Sequence, residues 1–231
     1  KTPDFSDTRY TQNTRAAYPR SHIASRVQDN RVNAQPKALI FLTCDLYGVL
    51  PPVACLNEHQ AAYYYLNGYT ALMGSTEVGS TQSIKTTFST GFGAAFLPRT
   101  PQTYANLLIQ RLRASSARVY LVNTGWHKGG LLTGGKRFAI PITRQIIDAI
   151  NDNKLVDTPT TTCLGFNFVI PTQLLGIDPL ILNPIDSWQD RHEYQQSANE
   201  LIAQFHKNFE KFDLTGPIAA AGPQPIDIES L

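Results

Sequence analysis

The chain has little cysteine: Cys44, Cys55 and Cys163 are the only three in 231 residues, and none stands in a C-x-x-C spacing. An odd number cannot be fully paired within one chain, so a disulfide framework is excluded and a reducing, cytoplasmic compartment is expected. Excess charge is also lacking. A formal net charge of +2 is too small for a general nucleic-acid binder, which draws its affinity from clustered Lys and Arg on phosphates. No apolar run approaches the roughly 20 residues that span a bilayer, and no basic-then-apolar leader opens the sequence. Neither a nucleic-acid nor a membrane partner is expected. The histidines His22, His59, His127, His192 and His206 form no H-x-x-x-H pair, so no metal site is expected within this chain. There is no G-x-S-x-G elbow and no cysteine in a nucleophile context, which argues against a covalent hydrolase. Internal repeats are absent. The first residue is Lys1 and not Met, which reads as a stretch cut from something longer.

What is present is a core-forming composition, 42% hydrophobic, arranged in alternating strand and helix patterns. Residues 1–36 read as a polar arm of turns punctuated by Pro3, Pro19 and Pro36. The run from Lys37 to Thr43 is nearly continuously apolar, the pattern of a strand buried on both faces. The Pro51-Pro52 pair is expected to end that region. Helical spacing predicts a helix from about Asn57 to Met73 capped by Gly74, then a loop over Ser75–Ser89. A second helix is expected from Pro101 through Leu112, a buried strand at Val119–Val122, and a third helix with Pro141 in its first turn. A strand over Gly165–Ile170, a final helix over Trp188–Phe212 and a surface tail complete the reading. The expected fold class is α/β, a mixed sheet with packed helices, with residues 37–212 as the core and 213–231 as the tail.

One segment carries the chemistry. Gly130-Leu131-Leu132-Thr133-Gly134-Gly135-Lys136-Arg137 nearly spells a P-loop, which needs G-x-x-x-x-G-K followed by Ser or Thr. Position 137 is Arg, which has donors only and cannot ligate Mg²⁺. Pro141 also delays the helix that should follow at once. Lys136 and Arg137 are either surface charge or a contact to a nucleotide, with the guanidinium stacking on a base or bridging to phosphate. Thr143, near the helix start, is a cap or a further contact. Arg15 lies in a polar loop, solvated unless it clamps an anion.

Together these segments resemble the C-terminal part of the ATP-dependent phosphoenolpyruvate carboxykinases. The resemblance is carried by Asn13-Thr14-Arg15-Ala16-Ala17-Tyr18-Pro19, by Leu42-Thr43-Cys44-Asp45-Leu46-Tyr47-Gly48-Val49-Leu50-Pro51-Pro52, by Gly68-Tyr69-Thr70-Ala71 and by Phe88-Ser89 with Phe92-Gly93-Ala94-Ala95-Phe96. Tyr120-Leu121-Val122-Asn123-Thr124-Gly125-Trp126, Gly135-Lys136-Arg137, Thr143-Arg144 and Ile170-Pro171-Thr172 extend it in order. It implies that residues 1–231 are a C-terminal, nucleotide-binding fragment of an enzyme converting oxaloacetate and ATP to phosphoenolpyruvate, ADP and CO₂ in gluconeogenesis. It further implies that Arg15 contacts the transferred γ-phosphoryl group as the catalytic residue, that Arg137 and Phe138 bracket the adenine, and that Thr143 is another nucleotide contact. The family's P-loop, its Mg²⁺ and Mn²⁺ ligands and its oxaloacetate arginine belong to an N-terminal part that this chain lacks. By that reading the fragment alone is inactive, and the missing N-terminal part is its partner. The alternative is a truncated or degenerate relative serving as a binding or structural module. The sequence departs from the family at Cys44, where alanine is usual, at Leu72, where lysine is usual, and near Ser75, where glycine is usual.

Overall fold

The computed structural model describes residues 4, 17–27, 34–72, 84–93 and 96–230. Arg15 lies outside the described residues, as do Ser75 and most of the polar arm.

Strands β1 (Ala38–Thr43) and β5 (Arg118–Asn123) run parallel, in register from Ala38 opposite Arg118 to Thr43 opposite Asn123. On the other side of β5, β2 (Val53–Leu56) pairs antiparallel, followed by β9 (Val169–Pro171) and β8 (Thr160–Thr162). The mixed sheet with packed helices is therefore as expected. Period-2 alternation explains why β5 is apolar throughout: Val119 and Leu121 enter one core, and Tyr120 and Val122 the other. The first core is closed by α1 (Glu58–Asn67), α2 (Pro101–Ser115) and α5 (Arg191–Phe209), and the second by α3 (Ile140–Asn151). In the first, Phe205 meets Tyr64, Tyr69 and Phe88 edge-on at 5.2–5.4 Å. A fully buried side chain of this size contributes about 1.5–3 kcal/mol.

Several boundaries differ from expectation. Helix α1 opens on a capping box, with Asn57 Oδ1 accepting from the His59 and Gln60 amides and Gln60 Oε1 accepting from the Asn57 amide. It stops at Gly68, which adopts the left-handed conformation, and not near Met73. Tyr69–Leu72 then forms β3, paired antiparallel with β4 (Lys85–Phe88), so the expected loop over Ser75–Ser89 ends in a strand. Strand β1 ends at Thr43, ahead of Pro51-Pro52 as expected, but β2, which was not expected, starts directly after the pair, with the Pro52 carbonyl accepting from the Asn123 amide. Residues 164–166 are a turn, Gly165 and Asn167 have positive φ, and the strand starts only at Val169. Helix α5 begins at Arg191, where Asp190 caps it, and a 3₁₀ turn covers Glu210–Phe212.

Strand β1, read as buried on both faces, is instead an edge strand among the described residues, with Leu42 56% exposed. Further elements are the hairpin β6 (Trp126–His127) with β7 (Lys136–Arg137), two short helices, α4 (Pro184–Ser187) and α6 (Pro217–Ala220), and 3₁₀ turns at Arg20–His22, Thr90–Phe92, Pro179–Ile181 and Ile228–Ser230. The tail is docked. Asn199 holds both backbone polar groups of buried Ile226, accepting from its amide at 2.7 Å and donating to its carbonyl at 2.8 Å.

Candidate functional site

The carboxyl ends of the parallel strands β1 and β5 point the same way, and in open α/β sheets that end is where ligands collect. Here it carries the turn from Cys44 to Gly48, the residues Thr124-Gly125, the β6–β7 hairpin and the start of α3.

Asp45 organises this end. Its carboxylate is fully buried and accepts from four donors: the Tyr47 amide and Tyr69 hydroxyl on Oδ1, and the Val49 and Leu50 amides on Oδ2, at 2.7–2.9 Å. Burial raises this carboxyl above its ordinary range, while the donors pull it back. Every lone-pair direction is occupied by a donor, so the arrangement is built for the anion. Asn123 ties the two loops together. Its Oδ1 accepts from the Asp45 and Gly125 amides and its Nδ2 donates to the Leu50 carbonyl.

The glycine-rich segment packs backbone against backbone on this turn. A Cβ on Gly130 would lie 2.7 Å from the Leu46 carbonyl oxygen, and one on Gly48 only 2.1 Å from that of Gly129. Four of the loop's amides, and that of Phe138 beyond it, are committed as well. Gly130 donates to Thr133 Oγ1, Leu131 to the Leu46 carbonyl, Thr133 and Gly135 to the Gly130 carbonyl, and Phe138 to the Gly125 carbonyl. A phosphate cradle needs amides aimed at the ligand. These aim into the protein, so the near-P-loop is a packing loop.

In the hairpin, Trp126 faces Arg137 and His127 faces Lys136. The Arg137 guanidinium lies 5.4 Å from the Trp126 ring centroid, and its Nε donates to the Thr124 carbonyl at 3.0 Å. One face of this exposed cation is thus backed by a buried indole. Phe138 turns the other way. It is 5% exposed and stacks on His127 at 4.6 Å with planes 14° apart, in the core under α3. Sequence neighbours in extended backbone point to opposite sides, so the two side chains do not meet on one face. Burial, with Lys128 and Lys136 nearby, lowers the His127 pKa. Burial raises the Cys44 thiol, an effect that the Arg137 charge and a Thr124 hydrogen bond partly offset. Thr143 is half-buried in the first turn of α3, where its amide donates to the Ala139 carbonyl.

Asp45, Asn123 and Trp126 were not singled out from the sequence. Only the polar turn after an apolar strand could have pointed to the first two. Among the described residues, no group of three or more His, Cys, Asp or Glu side chains is placed to hold a metal ion, and no helix is long and apolar enough to cross a membrane.

The family described as phosphoenolpyruvate carboxykinase matches residues 1–179. The chain is 44% identical over 209 residues to phosphoenolpyruvate carboxykinase (ATP) of Staphylococcus aureus strain Newman, and equally so to the proteins of that name from strains JH1 and Mu3. Each match covers 90% of this chain and 39% of the relative. The chain therefore spans about two fifths of the length of the curated relatives that it matches.

Proposed function

Because the chain belongs to the ATP-dependent phosphoenolpyruvate carboxykinase family, we propose that it forms, within a longer polypeptide, the adenine side of an ATP site. The reaction served is conversion of oxaloacetate and ATP to phosphoenolpyruvate, ADP and CO₂, the gluconeogenic step, in the cytoplasm. The observation that carries the assignment is the Arg137 guanidinium, held by Thr124 and backed on one face by Trp126 at the carboxyl end of the parallel strands. A planar cation so fixed has its second face available for a base, which makes a stack of indole, guanidinium and adenine. At position 138 the base would meet backbone and not the ring, since the ring is spent on His127. Thr143 lies in the next turn of chain and supplies a further polar contact.

ATP brings the phosphoryl group, and Arg15 is assigned to it: a bidentate fork there neutralises charge that builds on the equatorial oxygens during transfer. Mg²⁺ and Mn²⁺ do not fit the described residues, and the triphosphate does not fit the committed amides of the glycine loop. Their ligands, with those of oxaloacetate, are assigned to the rest of the polypeptide. The 231-residue chain by itself is accordingly expected to form no phosphoenolpyruvate.

The test is calorimetric titration of ATP, ADP and AMP against the complete polypeptide and its Arg137→Ala variant. Stacking of this kind is worth about 1–3 kcal/mol per base, so all three nucleotides should weaken by about five- to a hundred-fold. A variant that binds AMP normally while losing ATP would place phosphate, not adenine, at this loop.

A further inference from the structure

Three consecutive peptide groups lead from the end of β5 into the β6–β7 hairpin. The first is held through the Thr124 amide, which donates to the Thr43 carbonyl. The third is held at both ends, with the Gly125 carbonyl accepting from the Phe138 amide and the Trp126 amide donating to the Asp45 carbonyl. The middle one, which joins Thr124 to Gly125, is the group to which Arg137 is attached: its carbonyl accepts from Arg137 Nε at 3.0 Å. The N–H of the same peptide points the opposite way, because the two groups of a planar trans peptide are opposed. That N–H donates to Asn123 Oδ1 at 2.8 Å, in a buried bond.

A peptide with both neighbours fixed can still turn about the line joining its two Cα atoms, through ψ of Thr124 and φ of Gly125. Glycine sets little steric limit on such a turn. Asn123 does set one. Its side chain is buried, its Oδ1 also accepts from the Asp45 amide at 3.0 Å, and its Nδ2 donates to the Leu50 carbonyl at 3.0 Å. Anchored at both ends of its amide, it cannot follow a turning N–H. The N–H stays inward, and the carbonyl stays outward, toward Arg137.

We propose that Asn123 is a positioning residue for the nucleotide site: by holding the Gly125 amide it aims the Thr124 carbonyl, and so fixes the Arg137 guanidinium beside the Trp126 ring. The consequence for nucleotide affinity rests on the adenine assignment; the hold on Arg137 does not. Acceptance by a side chain from the amide two residues on is an Asx-turn, which a serine hydroxyl makes more weakly. Serine at 123 therefore keeps the bond to Gly125 while losing those to Asp45 and Leu50, and alanine loses all three.

The experiment compares Asn123→Ala and Asn123→Ser in the complete polypeptide, each with and without Arg137→Ala. The readouts are proton exchange at Arg137 Nε by NMR, AMP affinity by calorimetry and the urea midpoint. Both variants should lose stability, which reports the ties to Asp45 and Leu50. The Nε proton should exchange about two- to tenfold faster in Asn123→Ala than in the wild type, and Asn123→Ser should restore most of the protection. Asn123→Ala should weaken AMP by about threefold or more where Arg137 is present, and by less than about twofold in the Arg137→Ala background. Unchanged Nε exchange in Asn123→Ala overturns the inference, as does an AMP loss that is equal with and without Arg137. Nε exchange that follows the urea midpoint in both variants, with no rescue by serine, also overturns it, because the role is then structural only. Should Asn123→Ala not fold, the wild type and Asn123→Ser decide: an Nε proton in either that exchanges as fast as in free arginine overturns the inference, and protection in both upholds it. Protection lost in Asn123→Ala, while Arg137→Ala leaves AMP binding unchanged, upholds the hold on Arg137 and removes the adenine reading instead.

Discussion

Alanine at Gly125 and at Gly134 tests how tightly the backbone is packed at this end of the sheet. The Gly125 Cβ would meet only backbone: the Asp45 oxygen at 2.1 Å, its nitrogen at 2.3 Å and its carbonyl carbon at 2.7 Å. Relief requires the Asp45 backbone to retreat by about 1 Å, judged against ordinary contact beyond 3.4 Å. That movement disturbs the bonds from the Trp126 amide to the Asp45 carbonyl and from the Asp45 amide to Asn123 Oδ1. Overpacking costs about 1–3 kcal/mol, and each buried polar group left unpaired costs about 1–3 kcal/mol more. Gly125→Ala should therefore lose about 3 kcal/mol or more, a large part of a typical stability of about 5–15 kcal/mol. Gly134 has φ +81° and nothing within 4 Å of its added Cβ, so Gly134→Ala costs only the left-handed backbone, about 1–2 kcal/mol. Urea unfolding of the chain measures both through the midpoint at unchanged slope. If the two variants unfold within about 1 kcal/mol of each other, the close approach at Gly125 does not hold the loop, and the packing argument is refuted.

Asp45→Asn exchanges one acceptor for an NH₂ group; Tyr69 can rotate to accept from it, but the Tyr47 amide cannot. A loss of at least about 1–3 kcal/mol in urea unfolding is expected for that orphaned donor, and a change below about 0.5 kcal/mol would contradict the four-donor account. His127 has a lowered pKa in the fold, so its contribution to stability is complete above the unfolded value of about 6.5 and is lost as pH falls through the folded one. Between pH 7 and 5 the wild type should therefore lose more stability than His127→Phe, by at most about 1.4 kcal/mol per pH unit; parallel pH profiles would show that His127 is not the group involved. In the complete polypeptide, Arg15→Lys should lower turnover by about two orders of magnitude or more while the Michaelis constant for ATP moves much less, since a point charge replaces a bidentate fork. Equal losses in both would indicate ground-state binding.

The elements legible in the sequence are those whose signals are local. Strands β1 and β5 are continuous apolar runs, α2 starts at Thr100-Pro101, and α3 carries Pro141 at its second residue. The end of α1 was not legible because Tyr64, Tyr65 and Tyr69 keep the helical phase through Gly68, while the strand that claims Tyr69 pairs with Lys85–Phe88, distant in sequence. Strand β2 was hidden behind Pro51-Pro52, whose missing amides do not matter where the Pro52 carbonyl alone joins the ladder. At the site, Arg137 stood out because it broke a motif. Asp45 did not, since an acid in a turn after a strand ordinarily reads as solvated, and its burial depends on amides that only the folded turn brings together.

The resemblance of Gly130–Arg137 to a phosphate loop and its use as a packing loop have one physical origin. Glycine permits close approach of backbone, and the sequence does not say whether the approaching group is a phosphate or another peptide. Two features decide it here. In a phosphate loop the lysine leads directly into a helix whose free amides point at the anion; after Lys136 the chain instead pairs back as β7, and α3 starts only at Ile140. The amides of Gly130, Leu131, Thr133 and Gly135 are already bonded, to Thr133 Oγ1 and to the Leu46 and Gly130 carbonyls. With those amides spent, the loop does not present the run of inward-aimed donors that a phosphate needs, and Arg137 is the cation whose geometry is fixed there. A planar cation backed by an indole favours a planar ligand over a tetrahedral anion, which is why the adenine, and not the triphosphate, is assigned to this loop.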